Sequence, residues 1–500
     1  MRRGDVAAWL SKSDFLTGLQ CKLALWLRKH APDEAAPPRA AQRIRFRDGN
    51  LVDAHARDAF PGGVYIDERG FRACADATRW AIAEGVRRLY QATFSSDWGG
   101  CMVDVLDRED NGTWTLREVK STTSVKQIHV HDAAFQAMVL LDGGYDVARA
   151  VVVHIDSERS APDPRGFLHD EDVSAEVNEH LASLPSVVDE LRQVVDGPEP
   201  DVPIGLHCEV PYACPFKPRC WSDVPRASVF TIPDIGADRL NAFVGSGITA
   251  LDDIPSGKRL PRAMRAYVDL HRSGPVLHPK RLSAWVSSLL YPLRFVYIVT
   301  EHPPLPRHYR MRPYDPVPVA IVCRTLHADG RISGASARFA GDGNPLEVIA
   351  RALVEAVGEG GHVVTWGADT TRALLSALKG AVPEQSTALA RIRDRLRDLQ
   401  EVAEVAIRDP RRLGSNELSD VAHALLGAEA NVPTDAELLW HHLQALDAAA
   451  DEDRARHAAR LESAAARVAD ALVSVHAWMV DTAGRHPAGD NDWVPFDARP

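Results

Sequence analysis

Four cysteines restrict what this chain can fold into more than any other feature. Cys21 stands alone near the N-terminus, while Cys208, Cys214 and Cys220 crowd into HCEVPYACPFKPRCW, nearly two hundred residues later. A lone cysteine closing on so distant a trio joins the two ends of a domain and leaves the intervening chain as one loop. Thiolates suit zinc or iron–sulfur clusters. Structural zinc sites usually show paired C-x2-C knuckles, and one remote cysteine plus C-x5-C-x5-C departs from that pattern. Zinc stays open as an alternative. The remaining cysteines, Cys74, Cys101 and Cys323, have no close cysteine partners and read as small buried hydrophobes.

No apolar run approaches the roughly 20 residues that cross a bilayer. The opening MRRGDVAAWLSKSDF is basic but lacks the apolar core of a signal peptide. A cytoplasmic location is therefore expected, with no membrane partner. In that reducing setting, seven cysteines are not expected to form structural disulfides, and metal ligation is the leading use for the clustered ones.

A chain of 500 residues exceeds one ordinary core, so two or three domains are expected. An apolar fraction of 45% with 25% charged residues excludes disordered and fibrous classes. The net charge of −11 argues against general wrapping in nucleic acid, yet a basic cleft can sit in an acidic whole. Arg43, Arg45 and Arg47 in RIRFR, and Lys258, Arg259, Arg262 and Arg265 in KRLPRAMR, either line such a cleft or form solvated faces.

The first domain is read as residues 1–225. Helical spacing runs through Phe15, Leu19, Leu23, Leu25 and Trp26, followed by the polar loop HAPDEAAPPRA. CMVDVLDREDNGTWTLREVKS reads as two strands about a turn at Asp110-Asn111-Gly112, then a helix through HDAAFQAMVLL and the strand ARAVVVHI. That order is the signature of an α/β core. Residues 226–275 read as a linker with two small helices around Gly245-Ser246-Gly247, either gripping a phosphate backbone through helix N-termini or serving as a spacer. Residues 276–435 restart with strands around a turn at Asp329-Gly330, then a helix PLEVIARALVEAV and a strand HVVTW. Residues 436–500 form a helical tail, whose stripe Leu461, Ala465, Val468, Leu472, Val475 and Met479 fits internal packing better than a dimer seam.

Chemistry concentrates on the hairpin. Strand alternation puts Glu118 and Lys120 on one face, with Asp104 of the preceding strand opposite. Converging carboxylates bind a hard cation such as Mg2+ or Mn2+. Such an ion activates water and neutralises charge building on a phosphodiester. A lysine beside it orients water and stabilises the transition-state phosphate. By itself, D-x13-E-x-K also fits an ordinary surface hairpin.

These residues resemble the PD-(D/E)xK nuclease superfamily, specifically its RecB-like branch. The resemblance implies a helix bearing Q-x3-Y after the hairpin. Gln136 matches the glutamine, and Leu140 replaces the tyrosine. It also implies a metal-facing histidine on an upstream helix, for which His55 in GNLVDAHARDAF is the candidate. REVKSTTSVKQIHVHDAAFQ is similar to a bacterial family with an SVK-x2-H-x2-D segment, which places His129 and Asp132 beside the site. The cysteine segment resembles the 4Fe–4S arrangement of the CRISPR-adaptation nuclease and the AddB nuclease subunit. That resemblance implies a cluster on Cys21, Cys208, Cys214 and Cys220 that staples the nuclease domain shut.

From about residue 10 to 430 the chain resembles bacterial proteins that join a RecB-like nuclease to a DnaQ-like, RNase H-fold exonuclease domain. In that family a strand shaped YPLYFLDFET-x2-P supplies two acidic metal ligands. Here the strand reads YPLRFVYIVTEHP, with Tyr297 and Val299 where those acids belong, and Arg312-Pro313-Tyr314 keeps the register. Asp369 and Asp398 are the later acids, and without the first pair they imply a pseudo-exonuclease. The expected whole is a metal-dependent DNA nuclease acting on ends or single strands in repair or anti-foreign-DNA defence, with a helicase or defence-system protein as partner. A non-catalytic nucleic-acid scaffold and a zinc-stapled RNA-processing nuclease are the alternatives.

Overall fold

Between Leu89 and Leu116 the strand residues are buried in consecutive runs, such as Ala92–Phe94 and Trp114–Leu116, so the first sheet is covered on both faces. The computed structural model describes residues 8–163, 166–308, 310–341, 343–427, 429–486 and 493–496. The chain is mixed α/β and divides into two compact units. One holds residues 1–223 and 303–315, and the other holds 224–302 and 316–500.

The first unit contains strands β1 (Leu10–Ser11), β2 (Val64–Tyr65), β3 (Arg88–Ser95), β4 (Gly99–Arg108), β5 (Trp114–Lys120), β6 (Val147–Ile155) and β7 (Leu168–Asp172). Its helices are α1 (Lys12–Gln20), α2 (Lys22–His30), α3 (Ala40–Ala59), α4 (Phe71–Ala83), α5 (Gln127–Asp142), α6 (Ser174–Leu181), α7 (Leu184–Asp196) and the short α8 (Lys217–Cys220). The sheet order is β2-β3-β4-β5-β6-β7, with β1 added alongside β4. β3, β4 and β5 run antiparallel, whereas β5 and β6 are parallel and joined through α5. Phe15 of α1 stacks on Phe135 of α5 at 4.8 Å, which fixes α1 over the helix that follows the hairpin.

The apolar spacing from Phe15 to Trp26 reads as one helix, but the structure breaks it at Cys21. That residue is extended (φ −159°, ψ 119°) and its Sγ accepts from the Ala24 amide at 3.5 Å, capping α2. The break turns the thiol out of both helices. Upstream, Ser11 and Asp14 form a reciprocal capping box that starts α1.

The second unit contains α9 (Ala237–Gly245), α10 (Arg262–Ser273), β8 (Val276–Leu277), α11 (Pro279–Ser287), β9 (Leu293–Glu301), β10 (Val317–Leu326), β11 (Ile332–Arg338), α12 (Pro345–Val357), β12 (Val363–Thr365), α13 (Ala368–Ala381), α14 (Ser386–Asp394), β13 (Leu396–Asp398), α15 (Leu399–Ala406), β14 (Ile407–Arg408), α16 (Leu418–Leu426), α17 (Asp435–Asp447), α18 (Asp451–Arg485) and β15 (Val494–Pro495). Its main sheet has the order β11-β10-β9-β12-β13, and β14-β8-β15 form a second small sheet. β9 and β11 are antiparallel to β10, and β12 is parallel to both β9 and β13.

Segment 226–275 differs from a helix pair around Gly245-Ser246-Gly247. Only α9 precedes that turn, and turns fill the chain until α10 begins at Arg262. The segment has its own small core of Val229, Leu240, Phe243, Leu251 and Val268, and it lies within the second unit. The C-terminal helices are likewise no loose tail. Leu461, Ala465, Val468, Leu472, Val475 and Met479 are all buried, and α18 packs on β9, β10, α11, α16 and α17. Cys74, Cys101 and Cys323 are buried, as small hydrophobes are expected to be.

Candidate active site and thiol centre

β5 ends in Glu118-Val119-Lys120, and the register that pairs Val105 with Arg117 brings Asp104 beside Glu118. α5 then presents Asp132 and Gln136, one turn apart, to the same spot. Glu118, Asp132 and Gln136 are buried. Glu118 accepts from Lys12 Nζ at 2.9 Å, from Lys120 Nζ at 2.5 Å and from Gln136 Nε2 at 2.7 Å. Asp132 accepts from Lys120 Nζ at 2.7 Å and from Gln136 Nε2 at 2.9 Å, and lies 3.3 Å from Lys12 Nζ. Asp104 is held differently, by the Val119 amide at 2.8 Å and the Gln91 side-chain amide at 3.2 Å. Gln91 also reaches Asp53 of α3 at 3.2 Å.

The electrostatics separate these carboxylates. Loss of hydration would raise Glu118, but the Lys12 and Lys120 ammonium groups hold it well below the usual carboxylate range. Burial would lower both lysines, yet the charges of Asp132 and Glu118 hold them above the ordinary lysine value. Arg57 pairs with Asp53 at 2.6 Å. Asp104 makes its side-chain hydrogen bonds to neutral donors. Loss of hydration and the charge of Glu118 push its carboxyl up to about 7. The centre is thus short of positive charge at Asp104.

Sequence reasoning brought Asp104, Glu118, Lys120 and Gln136 to this site, and the structure gathers all four. Among the described residues, His55 makes no hydrogen bond to these four; its ring lies 6.5 Å from Phe167 and beside Gly166, and its Nε2 is buried without a hydrogen-bond partner. Asp53, two residues earlier on α3, is the residue that reaches Gln91 and feels the charge of Glu118. Both flank the buried Val52–Ala56 stripe from opposite sides, so helical period alone cannot choose between them. His129 caps the start of α5 by accepting from the Lys126 amide at 3.2 Å. Its pKa is lowered to about 4 by burial and then by the Lys120 and Lys126 charges, so it stays neutral.

Lys12, Asp53 and Gln91 escaped the sequence reading. Gln91 carries a signal visible only in the backbone, a φ of +55° in the middle of β3. Non-glycine residues in that region are uncommon and cluster at functional sites.

The four expected thiols share one cavity, whose lining includes Cys21, Cys208, Cys214 and Cys220 with Leu27, Phe216 and Lys217. All are free thiols. Burial, and next the proximity of the other thiols, raises Cys21, Cys214 and Cys220. Gln20 stitches the same region by donating to the His207 and Tyr212 carbonyls at 2.7 and 2.6 Å. Among the described residues no three His, Cys, Asp or Glu groups stand close enough, as placed, to hold a metal ion.

In the second unit, Tyr297 of β9 donates its hydroxyl to Asp435 of α17, and Val299 is buried. Asp369 is exposed and pairs with Arg372 at 2.7 Å. Asp398 caps α15 and accepts from the Gly367, Ala368 and Gln400 amides at 3.1, 2.8 and 2.9 Å. Neither late acid meets the other or Tyr297 in any hydrogen bond described.

Residues 300–416 match the model of a domain of unknown function (DUF2779). That segment runs from the end of β9 to the loop before α16. No curated protein and no solved structure matches the chain. Among the described residues, no helix is long and apolar enough to cross a membrane.

Proposed function

We propose that the first unit is a cytoplasmic, metal-dependent DNA nuclease of the RecB-like PD-(D/E)xK type, stapled by a 4Fe–4S cluster. The observation that carries this reading is the partner imbalance around Asp104, Glu118 and Lys120. Two ammonium groups serve Glu118 and Asp132, whereas Asp104 holds only neutral donors beside them. Gln136 Oε1 adds to it, since it is buried in the same place with no hydrogen-bond partner. A hydrated divalent cation answers both, supplying the missing charge and a water for the orphaned acceptor.

Asp104, Glu118 and the Val119 carbonyl are the groups that would hold Mg2+ or Mn2+, with His55, whose buried Nε2 has no hydrogen-bond partner, as the further ligand the resemblance implies. When bound, that cation neutralises charge building on the phosphate and generates the attacking nucleophile from water. The chain supplies the rest. Lys120 orients the nucleophile and stabilises the transition-state phosphate, Lys12 keeps Glu118 ionised, and the Val119 amide aims Asp104. Nucleic acid would approach over α3, where Arg45 and Phe46 are exposed and Phe46 is 61% accessible. An aromatic among arginines is the chemistry that stacks single-stranded bases.

Four thiols around one cavity, without a disulfide, fit a resident thiolate-bound cofactor. Four thiolates on one zinc ion would sit about 3.8 Å apart for Zn–S bonds of about 2.3 Å. A cubane distributes them over four irons, and the resemblance of the cysteine segment favours the cluster. The second unit supports an RNase H-like fold by its five-stranded order. It is read as a pseudo-exonuclease because Tyr297 and Val299 stand on β9 where acids would be needed. Partners remain as expected from the sequence, DNA and a helicase or defence-system protein.

Incubation of end-labelled single- and double-stranded DNA with the purified protein tests this reading. Cleavage is expected with Mn2+ or Mg2+ and none in excess chelator. Cleavage that persists in chelator, or none with either metal, would contradict it.

A further inference from the structure

Antiparallel neighbours such as β9 and β10 need only a turn of two to five residues. Fifteen residues, 302–316, join them instead. Residues 303–315 of that connection belong to the first unit, although the strands on either side belong to the second. The loop is closed on itself, with the Tyr314 amide donating to the Pro303 carbonyl at 2.9 Å and the Arg312 amide to Asp315 Oδ2 at 2.7 Å. A reciprocal backbone pair ties it to the chain after β6. Arg310 donates to the Ala161 carbonyl at 2.7 Å, and Ala161 donates to the Met311 carbonyl at 2.8 Å. From the closing end of the loop, the Tyr314 hydroxyl donates to the Ser121 carbonyl at 2.5 Å, beside Lys120.

Ser121 directly follows Lys120, the last residue of β5. The next carbonyl, that of Thr122, accepts from the Ile155 amide at 2.8 Å. The backbone that carries the lysine away from the sheet is therefore held from two sides, by β6 and by Tyr314. Arg310 and Tyr314 both adopt left-handed backbone, with φ of +65° and +66°. Non-glycine residues persist there only where surrounding contacts over-determine them, and two in one loop mark a segment built for a task.

We propose that Tyr314 is a positioning residue for the nuclease centre, through which segment 303–315 of the first unit fixes the end of the Lys120 strand. This rests on the nuclease reading for its consequence and on the contacts of that segment for its structure.

The test uses the full-length protein and Tyr314→Phe, which keeps the ring and removes the hydroxyl. Deuterium uptake in the peptide covering 119–126 is expected to rise several-fold while uptake across β3 and β4 is unchanged. In the same preparation kcat for Mn2+-dependent DNA cleavage is expected to fall about tenfold at unchanged KM. Unchanged uptake in 119–126 would overturn the proposal, as would an unchanged or raised kcat in an active enzyme. Glu118→Gln run alongside keeps the two readings apart. If wild type cleaves no better than Glu118→Gln, the nuclease reading fails, and the exchange measurement alone still decides whether Tyr314 holds the strand.

Discussion

Glu118→Gln is expected to lower metal-dependent cleavage by on the order of 10²–10³ in kcat, the scale found when one preorganised electrostatic group is removed. Glu118 is the point where Lys12, Lys120 and Gln136 meet. Glutamine keeps its length but not its charge, so the cation loses a hard anionic ligand while the local shape survives. The same change leaves two ammonium groups to share Asp132. Breaking such a largely buried pair costs about 3–5 kcal/mol, somewhat less here because both lysines are about one-fifth exposed. Urea denaturation of the variant measures that loss, and cleavage assayed well below its melting point separates it from chemistry. Equal cleavage by variant and wild type would remove Glu118 from the reaction.

Cys208→Ser is expected to have the larger structural effect. Cys21 and Cys208 line one cavity from opposite ends of the first unit's main segment. A cofactor joining them closes a loop spanning most of that unit. Closing a loop of this order contributes about 5 kcal/mol through the unfolded chain. Its loss should lower the melting temperature by on the order of 10 °C for a unit of this size. Anaerobically purified wild type should absorb near 400 nm and carry about four irons per chain, and Cys208→Ser should have lost most of both. Cys323→Ser, buried in the second unit, should change neither. A colourless wild type containing one zinc per chain would replace the cluster with the alternative ion.

What was legible in the sequence follows from distance along the chain. Glu118 and Lys120 share a strand face by alternation, and Gln136 follows one helix later, so local period found them. The thiol trio is legible because its spacing is compact. Lys12 is 106 residues from Glu118, and only the stacking of α1 on α5 brings it in. His55 entered through the resemblance; the helix turns Asp53 toward Gln91 and sets His55 near Phe167 with its Nε2 buried and without a hydrogen-bond partner. Gln91 works through a left-handed backbone that composition cannot announce. The helix break at Cys21 was hidden beneath continuous apolar spacing, because a cap formed by a thiol leaves no periodic trace. The reach of 303–315 into the first unit is tertiary information of the same kind.

The central claim is that Asp104 and Glu118 together ligate a divalent cation, with Lys120 giving way from Glu118. Anomalous diffraction at the manganese edge, from crystals soaked in Mn2+, addresses it most directly. The expected result is a strong peak about 2.1 Å from carboxylate oxygens of both residues. With it, Lys120 Nζ should be displaced from Glu118 Oε1, to which it now donates. A map without density at those carboxylates under saturating Mn2+, or one with the lysine pairing intact and the metal elsewhere, would contradict the account.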